Sequence, residues 1–190
     1  MGIGGNYYVR SEYENLYRGL EERIKRLLEN SPNNKTKSDG YYSTGDFMRD
    51  MAVEKGISLL ELSELAEKDR SIDTSLDNRQ MQLGKNENNF LIDARLGWHF
   101  IPNSIKIFLD VNLDVAAQRI FNDLRIDEKE NRTLEDTKKA ILRRIKSERI
   151  RYKIYYNLDC SDLNNYDLVV DTTNLSIEEV VDRIVKFVKN

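Results

Sequence analysis

The sequence predicts an α/β fold, a parallel sheet flanked by helices, and three observations lead there. Asn89-Phe90-Leu91-Ile92-Asp93, Ile105-Lys106-Ile107-Phe108-Leu109-Asp110 and Asp167-Leu168-Val169-Val170-Asp171 are short apolar runs that end in aspartate, the pattern of strands buried on both faces. Two of them lead into helix-starting sequences, Asn112 before Leu113 to Asn122 and Ser176-x-x-Glu179 after the last run. Each places a side-chain acceptor where a first helical turn leaves amides unpaired. A length of 190 residues suits a single domain, residues 1–190, and leaves little room for another. In such a sheet ligands gather at the carboxyl ends of the strands, where the three aspartates fall.

Taken from the N-terminus, Tyr13, Leu16, Tyr17, Leu20, Ile24, Leu27 and Leu28 recur at three- and four-residue spacing, the stripe of a half-buried helix. The capping-box sequence Ser11-Glu12-Tyr13-Glu14 starts it, and it is expected to end near Asn30. Residues 31–40 are polar and turn-rich without periodicity, which reads as a mobile loop. Tyr41-Tyr42-Ser43 reads as a short strand turning tightly into a helix over Asp46 to Glu54. Further helices are expected over Leu59 to Lys68, capped by Ser58-x-x-Glu61, and over Ile72 to Leu83. After the helix at Leu113 comes a basic segment, Lys138, Lys139, Arg143, Arg144, Lys146, Arg149, Arg151 and Lys153, interleaved with Ile141, Ile145 and Tyr152.

Thirty Lys and Arg stand against thirty-three Asp and Glu, a net charge of −3, so the overall balance demands neither nucleic acid nor an anionic membrane as partner. No apolar run approaches the roughly 20 residues needed to cross a bilayer, and the N-terminus lacks a signal-peptide pattern; a soluble, cytoplasmic protein is expected. With one cysteine, Cys160, and one histidine, His99, there is no intrachain disulfide and no Cys/His zinc cluster. Carboxylates, arginines and backbone amides are the remaining chemical tools.

These tools cluster at three places. In Ser43-Thr44-Gly45-Asp46-Phe47-Met48-Arg49 the first-turn amides of a helix can hold an anion, and Arg49, read as lying on that first turn, can point a guanidinium at it; the ordinary reading is a helix cap with a surface arginine. Asp93-Ala94-Arg95-Leu96-Gly97-Trp98 sets an acid and an arginine just past a buried strand, where Asp93 otherwise merely caps a turn. The basic segment 138–153 is usually a solvated helix face, or else closes over polyphosphate or binds nucleic acid.

In this order the clusters resemble the nucleoside monophosphate kinases of the P-loop fold, most closely the short, archaeal-type cytidylate kinases. The pattern is Ser43-Thr44-Gly45-Asp46-Phe47-x-Arg49, Gly56-Ile57-Ser58-Leu59, Ile72-Asp73, Asp77-x-Arg79-Gln80, Asp93-Ala94-Arg95-Leu96-Gly97-Trp98, Phe108-Leu109-Asp110, Ala116-x-x-Arg119-Ile120, Ser147-Glu148-Arg149-x-Arg151-Tyr152 and Tyr166-Asp167-Leu168-Val169. The resemblance implies a core, monophosphate-binding helices over 46–84 and a lid over about residues 125–160. It implies transfer of the ATP γ-phosphoryl group to CMP or dCMP with Mg2+, by a monomer without a membrane or specific nucleic-acid partner. By matching position, Ser43, Asp46 and Arg49 hold the monophosphate, Asp93 and Arg95 lie between the two nucleotides, and Arg119, Arg143 and Arg149 flank or line the lid.

The chain departs from that family at the phosphate loop, G-x-x-x-x-G-K-[ST], whose glycines let amides wrap the phosphates while the lysine reaches the terminal oxygens. The sequence contains no such match. Its nearest alignment is Gly4-Gly5-Asn6-Tyr7-Tyr8-Val9-Arg10-Ser11, which reads as a degenerate loop with Gly4, Gly5, Arg10 and Ser11 as the remaining cofactor contacts, or else as a flexible terminus. Three functions are therefore open: a working cytidylate kinase, an impaired pseudokinase that binds a pyrimidine monophosphate, and a nucleic-acid-binding module using 138–153.

Overall fold

Five parallel strands in the order β2-β3-β1-β4-β5 form the centre of the molecule. The computed structural model describes residues 7–11, 40–88, 90–122 and 133–189. Within these, β1 is Tyr7–Ser11, β2 Tyr41–Ser43, β3 Leu91–Asp93, β4 Ile105–Asp110 and β5 Leu168–Asp171. The helices are α1 Thr44–Lys55, α2 Leu59–Ala66, α3 Arg70–Asn86, α4 Gly97–Phe100, α5 Leu113–Asn122, α6 Leu134–Tyr156 and α7 Ile177–Lys189. The expected helix that follows Ser11 as far as Asn30, the loop before Gly40, and Gly4 and Gly5 lie outside the described residues.

Alternation along the strands divides the core. Leu91, Ile107, Leu109 and Val170 pack with Val180, Val181 and Ile184 of α7, whereas Phe90, Ile92 and Ala94 pack with Ile101 on the way out of α4. Successive strand side chains point to opposite faces, which is why a continuous apolar run suits a sheet covered on both sides. A separate cluster, Met51, Ala52, Leu62, Ala66, Ile72 and Leu76, holds α1, α2 and α3 together. Those helices thus share a core of their own.

Capping chemistry fixes most helix ends where the sequence placed them. Ser58 and Glu61 form a reciprocal capping box, as do Ser176 and Glu179, and Asn112 accepts from the amide of Asp114 at 2.8 Å. Gly56 ends α1 in the left-handed region at φ 67°, a conformation that costs a residue with a Cβ roughly 1 kcal/mol or more. The basic segment is one 23-residue helix, α6, started by Thr133 and closed by Asn157 at φ 55°.

The structure corrects the reading of the N-terminus. Tyr7–Ser11 is the central strand, with Tyr7 beside both Leu91 and Ile105, and Ser11 beside Leu109. Arg10 and Ser11 are therefore strand residues in a ladder, not members of a phosphate-wrapping turn. In sequence Gly4 and Gly5 precede the strand, whereas a P-loop follows one; both lie outside the described residues.

Candidate active site

The first part of the site is built where β2 turns into α1. Ser43 closes β2 and is 3% exposed; its hydroxyl accepts from the Asp46 amide at 3.3 Å as the helix cap. In the sheet Ser43 is paired with Asp93, and the Thr44 hydroxyl donates to the Asp93 carbonyl at 3.3 Å. The helix begins at Thr44, earlier than the sequence reading had it, so Arg49 lies in the second turn and not the first. It reaches back to form an ion pair with Asp46. That pair is 28% and 55% exposed, so the guanidinium lies at a solvent-accessible mouth. Ser43, Asp46, Arg49 and Asp93 are thus brought together at the carboxyl ends of two neighbouring strands.

Arg95 stands two residues beyond β3, and its partner lies in the basic segment. Its Nε is 2.9 Å from Oε2 of Glu148, both side chains being 12% exposed. The other oxygen of Glu148 lies 3.3 Å from Nε of Arg144. One carboxylate thus joins an arginine after β3 to an arginine on α6. Arg143, which the resemblance placed at the lid, is exposed and donates to the Lys139 carbonyl at 3.4 Å; Arg149, placed there too, is exposed, as is Arg144 itself at 42%. Spacing carried the signal: Arg144, Glu148 and Arg151 repeat at helical intervals and share a face, which Arg143 does not.

Arg119 is positioned elsewhere. From α5 it donates to the Thr172 carbonyl at 2.8 Å and lies within 3.3 Å of the Thr172 hydroxyl, tying α5 to the segment after β5. Burial holds its pKa below the usual guanidinium value.

A second polar layer, absent from the sequence's choice of site residues, connects α3 to the end of α6. Arg151 Nε lies 3.4 Å from Asp73 Oδ2, close enough for attraction but off the line of a hydrogen bond, so both atoms lack such a partner. Arg151 Nη1 donates to the Ser63 carbonyl at 3.2 Å. One turn along α3, the Tyr156 hydroxyl donates to Asp77, while the Arg70 guanidinium lies 5.5 Å and 5.7 Å from the ring centres of Tyr155 and Tyr156. The recurrence of Asp73, Asp77 and Gln80 at four- and three-residue spacing was the available signal for this polar stripe.

Burial pushes the Asp77 carboxyl up to about 6, against the lowering effect of the Tyr156 hydrogen bond. Asp73 is also raised, chiefly by burial. A carboxyl whose folded pKa exceeds its unfolded value, about 3.9 for aspartate, holds its proton more tightly in the native state. Native stability therefore falls as pH rises through that window and levels off above it. Asp77→Asn removes this titration, so the difference in urea midpoint between variant and wild type should move in the variant's favour from about pH 4 to about pH 7. A pH-independent difference would contradict this environment for Asp77.

The basic segment does not form one unpaired positive face. Lys138 lies 2.6 Å from Asp114, Arg144 and Arg95 share Glu148, and Arg151 faces Asp73. No helix among the described residues is long and apolar enough to cross a membrane.

Comparison with known proteins agrees with this geometry. A family model described as cytidylate kinase matches residues 20–190. The cytidylate kinase of Methanosphaera stadtmanae is 35% identical over 150 residues, covering 79% of this chain and 83% of the relative. That of Methanobrevibacter smithii is 36% identical over 149 residues, covering 78% and 83%. Among solved structures, an uncharacterized protein from Eubacterium ventriosum superposes with TM-score 0.63 at 16% identity, over 97% of this chain and 98% of the other. Shikimate kinase from Aquifex aeolicus gives TM-score 0.51 at 16% identity, over 97% and 95%; these two likenesses speak to the fold alone, a parallel α/β sheet flanked by helices. With Ser43 and Asp93 paired at the ends of β2 and β3, the arginine-carboxylate link to α6 and a family match over most of its length, the chain belongs to the cytidylate kinase family.

Proposed function

We propose that the chain binds CMP or dCMP at the carboxyl ends of β2 and β3 and phosphorylates it with ATP, slowly. The observation that carries this reading is the pairing of Ser43 with Asp93 across β2 and β3, with Arg49 and Arg95 on the segments that follow. A monophosphate there meets the amino end of α1 and two guanidinium-bearing segments, the groups that neutralise and orient a phosphate. In the transfer, an oxygen of the CMP phosphate forms a bond to the γ-phosphorus of ATP. The bond to the β,γ-bridging oxygen breaks, and ADP leaves with that electron pair. Arg49 and Arg95 orient the acceptor and offset its charge so that the two nucleotides meet in line, the main demand of this chemistry.

Magnesium in such reactions arrives on the polyphosphate and needs only one or two protein carboxylates. Asp93, buried at the inner end of β3, fits that part; no group of three acidic, His or Cys side chains among the described residues would hold an ion on its own. When bound, magnesium offsets the charge on the transferring group.

A second reading, acceptor binding with almost no transfer, is favoured by one observation. After β1 the sequence continues Glu12-Tyr13-Glu14-Asn15-Leu16-Tyr17-Arg18-Gly19, with two carboxylates and without the lysine or the leading glycine of a phosphate loop. Calorimetry with CMP, dCMP, UMP and AMP beside a coupled ATP/CMP assay on the same preparation separates the readings. Heat with CMP or dCMP and slow turnover is expected. Heat without turnover selects the second reading, and no heat with any of the four on folded protein overturns the acceptor site.

A further inference from the structure

We infer that Glu148 is a positioning residue: it sets Arg95 for the acceptor phosphate and ties that setting to Arg144 on α6. This deepens the proposed function and rests on its placing of Arg95 at the acceptor.

Three observations support it. Glu148 is one of four buried acids among the described residues, with Asp73, Asp77 and Asp93, and it comes from a helix rich in cations. Its two oxygens are divided between two elements, Oε2 to Arg95 Nε at 2.9 Å and Oε1 to Arg144 Nε at 3.3 Å. Contact at Nε, the guanidinium nitrogen nearest the main chain, fixes the plane of the group and the direction in which its terminal nitrogens extend. Arg95 has no regular secondary structure of its own to aim it, since β3 has ended at Asp93 and α4 begins at Gly97. The bond to Glu148 supplies that constraint.

The electrostatics make the inference testable by sign. Neutralising a carboxylate near an anion site should tighten binding of a doubly negative phosphate if charge alone matters, because the local field becomes more positive. If Glu148 works by aiming Arg95, the same change should weaken binding, because a misdirected guanidinium loses its bidentate geometry. A purely architectural Glu148 would leave affinity unchanged and lower only the thermal midpoint.

The experiment is calorimetric titration of CMP into wild type, Glu148→Gln, Arg95→Ala and the double variant, with thermal melting of each. The expected result is a loss of affinity of about tenfold or more in Glu148→Gln, the scale on which residues that orient a ligating group count. Arg95→Ala should make the further Glu148→Gln change nearly silent, since a positioning residue has nothing left to position. Equal or tighter CMP binding by folded Glu148→Gln overturns the inference while leaving the acceptor site standing. Additive losses in the double variant overturn it too, because Glu148 would then act independently of Arg95. Should Glu148→Gln fail to fold, Glu148→Asp replaces it: the charge is kept but the carboxylate is one methylene short of bridging both arginines. Weakened binding supports positioning, and wild-type affinity overturns it. Failure of wild type to bind CMP overturns the acceptor reading and this inference together, and is distinguished from the other outcomes by that first titration.

Discussion

Replacing Glu12–Gly19 with a glycine-rich G-x-x-x-x-G-K-S loop is expected to raise ATP/CMP transfer by at least about a hundredfold, the scale on which one preorganised donor to a developing oxyanion counts. The position follows from the sheet. β1 ends at Ser11 beside Leu109 of β4, so the next residues leave the carboxyl end of the central strand, where P-loop kinases wrap the donor phosphates. In sequence, residues 12–19 carry Glu12 and Glu14 and no lysine. Unaltered protein should turn over far more slowly than the about 1–10³ per second of ordinary enzymes. Ordinary turnover by the natural chain would refute this view of the donor side. A folded, CMP-binding graft with no gain would show that the acceptor or lid arginines have left their roles. Changing Val9 and Arg10 to glycine and lysine is expected to damage the protein instead, because Val9 pairs with both Asp93 and Ile107 in the middle of the sheet, where glycine weakens a strand.

Arg49→Ala should weaken CMP binding by about 2 kcal/mol or more, roughly thirtyfold in Kd, the loss expected when a charge-assisted contact to phosphate is truncated. Folding stability should hardly move. Arg49 pairs with Asp46 in an exposed pair three residues away, and pairs of that kind contribute only a few tenths of a kcal/mol, about 0.3–0.5. The two numbers separate a phosphate ligand from a surface arginine: titration of CMP measures the first, urea denaturation the second. Unchanged affinity would return Arg49 to the surface.

Elements whose local chemistry agrees with their place in the fold were legible in the sequence. The three apolar runs became β3, β4 and β5, and the Ser58, Asn112 and Ser176 caps start their helices where expected. β1 was not legible, because Tyr7-Tyr8-Val9-Arg10-Ser11 carries a cation and a hydroxyl in place of a central strand's apolar run, and the preceding glycines suggested a loop. What makes it a strand is supplied from outside, by β3 and β4 pairing along both of its edges. At the site, residues adjacent to a strand end, Ser43, Asp93 and Arg95, were legible because topology alone places them. Glu148, Arg151, Asp73 and Asp77 stood in the family pattern but received no site role, since their significance depends on which faces of α3 and α6 meet, and that is settled by packing between segments far apart in the chain. That Arg144 and not Arg143 faces Glu148 was hidden for the same reason, since neighbouring helical residues point about 100° apart.

The position of β1 has a consequence for how the chain is assembled. β2 pairs with β3 and β4 with β5, and in each case the partners are consecutive strands joined by a crossover. β1 alone joins the two pairs, although it is synthesised before either. The sheet is therefore two locally formed halves stitched by a strand that must wait for both, a connection dominated by distant contacts and slow to close. Ser43 and Asp93 belong to one half, with α1 to α3 between them in sequence, whereas the proposed transfer would also call on the end of the stitching strand. A nascent or partly loosened molecule with β1 undocked would retain the local framework of the proposed acceptor site while having lost the register that the proposed transfer needs.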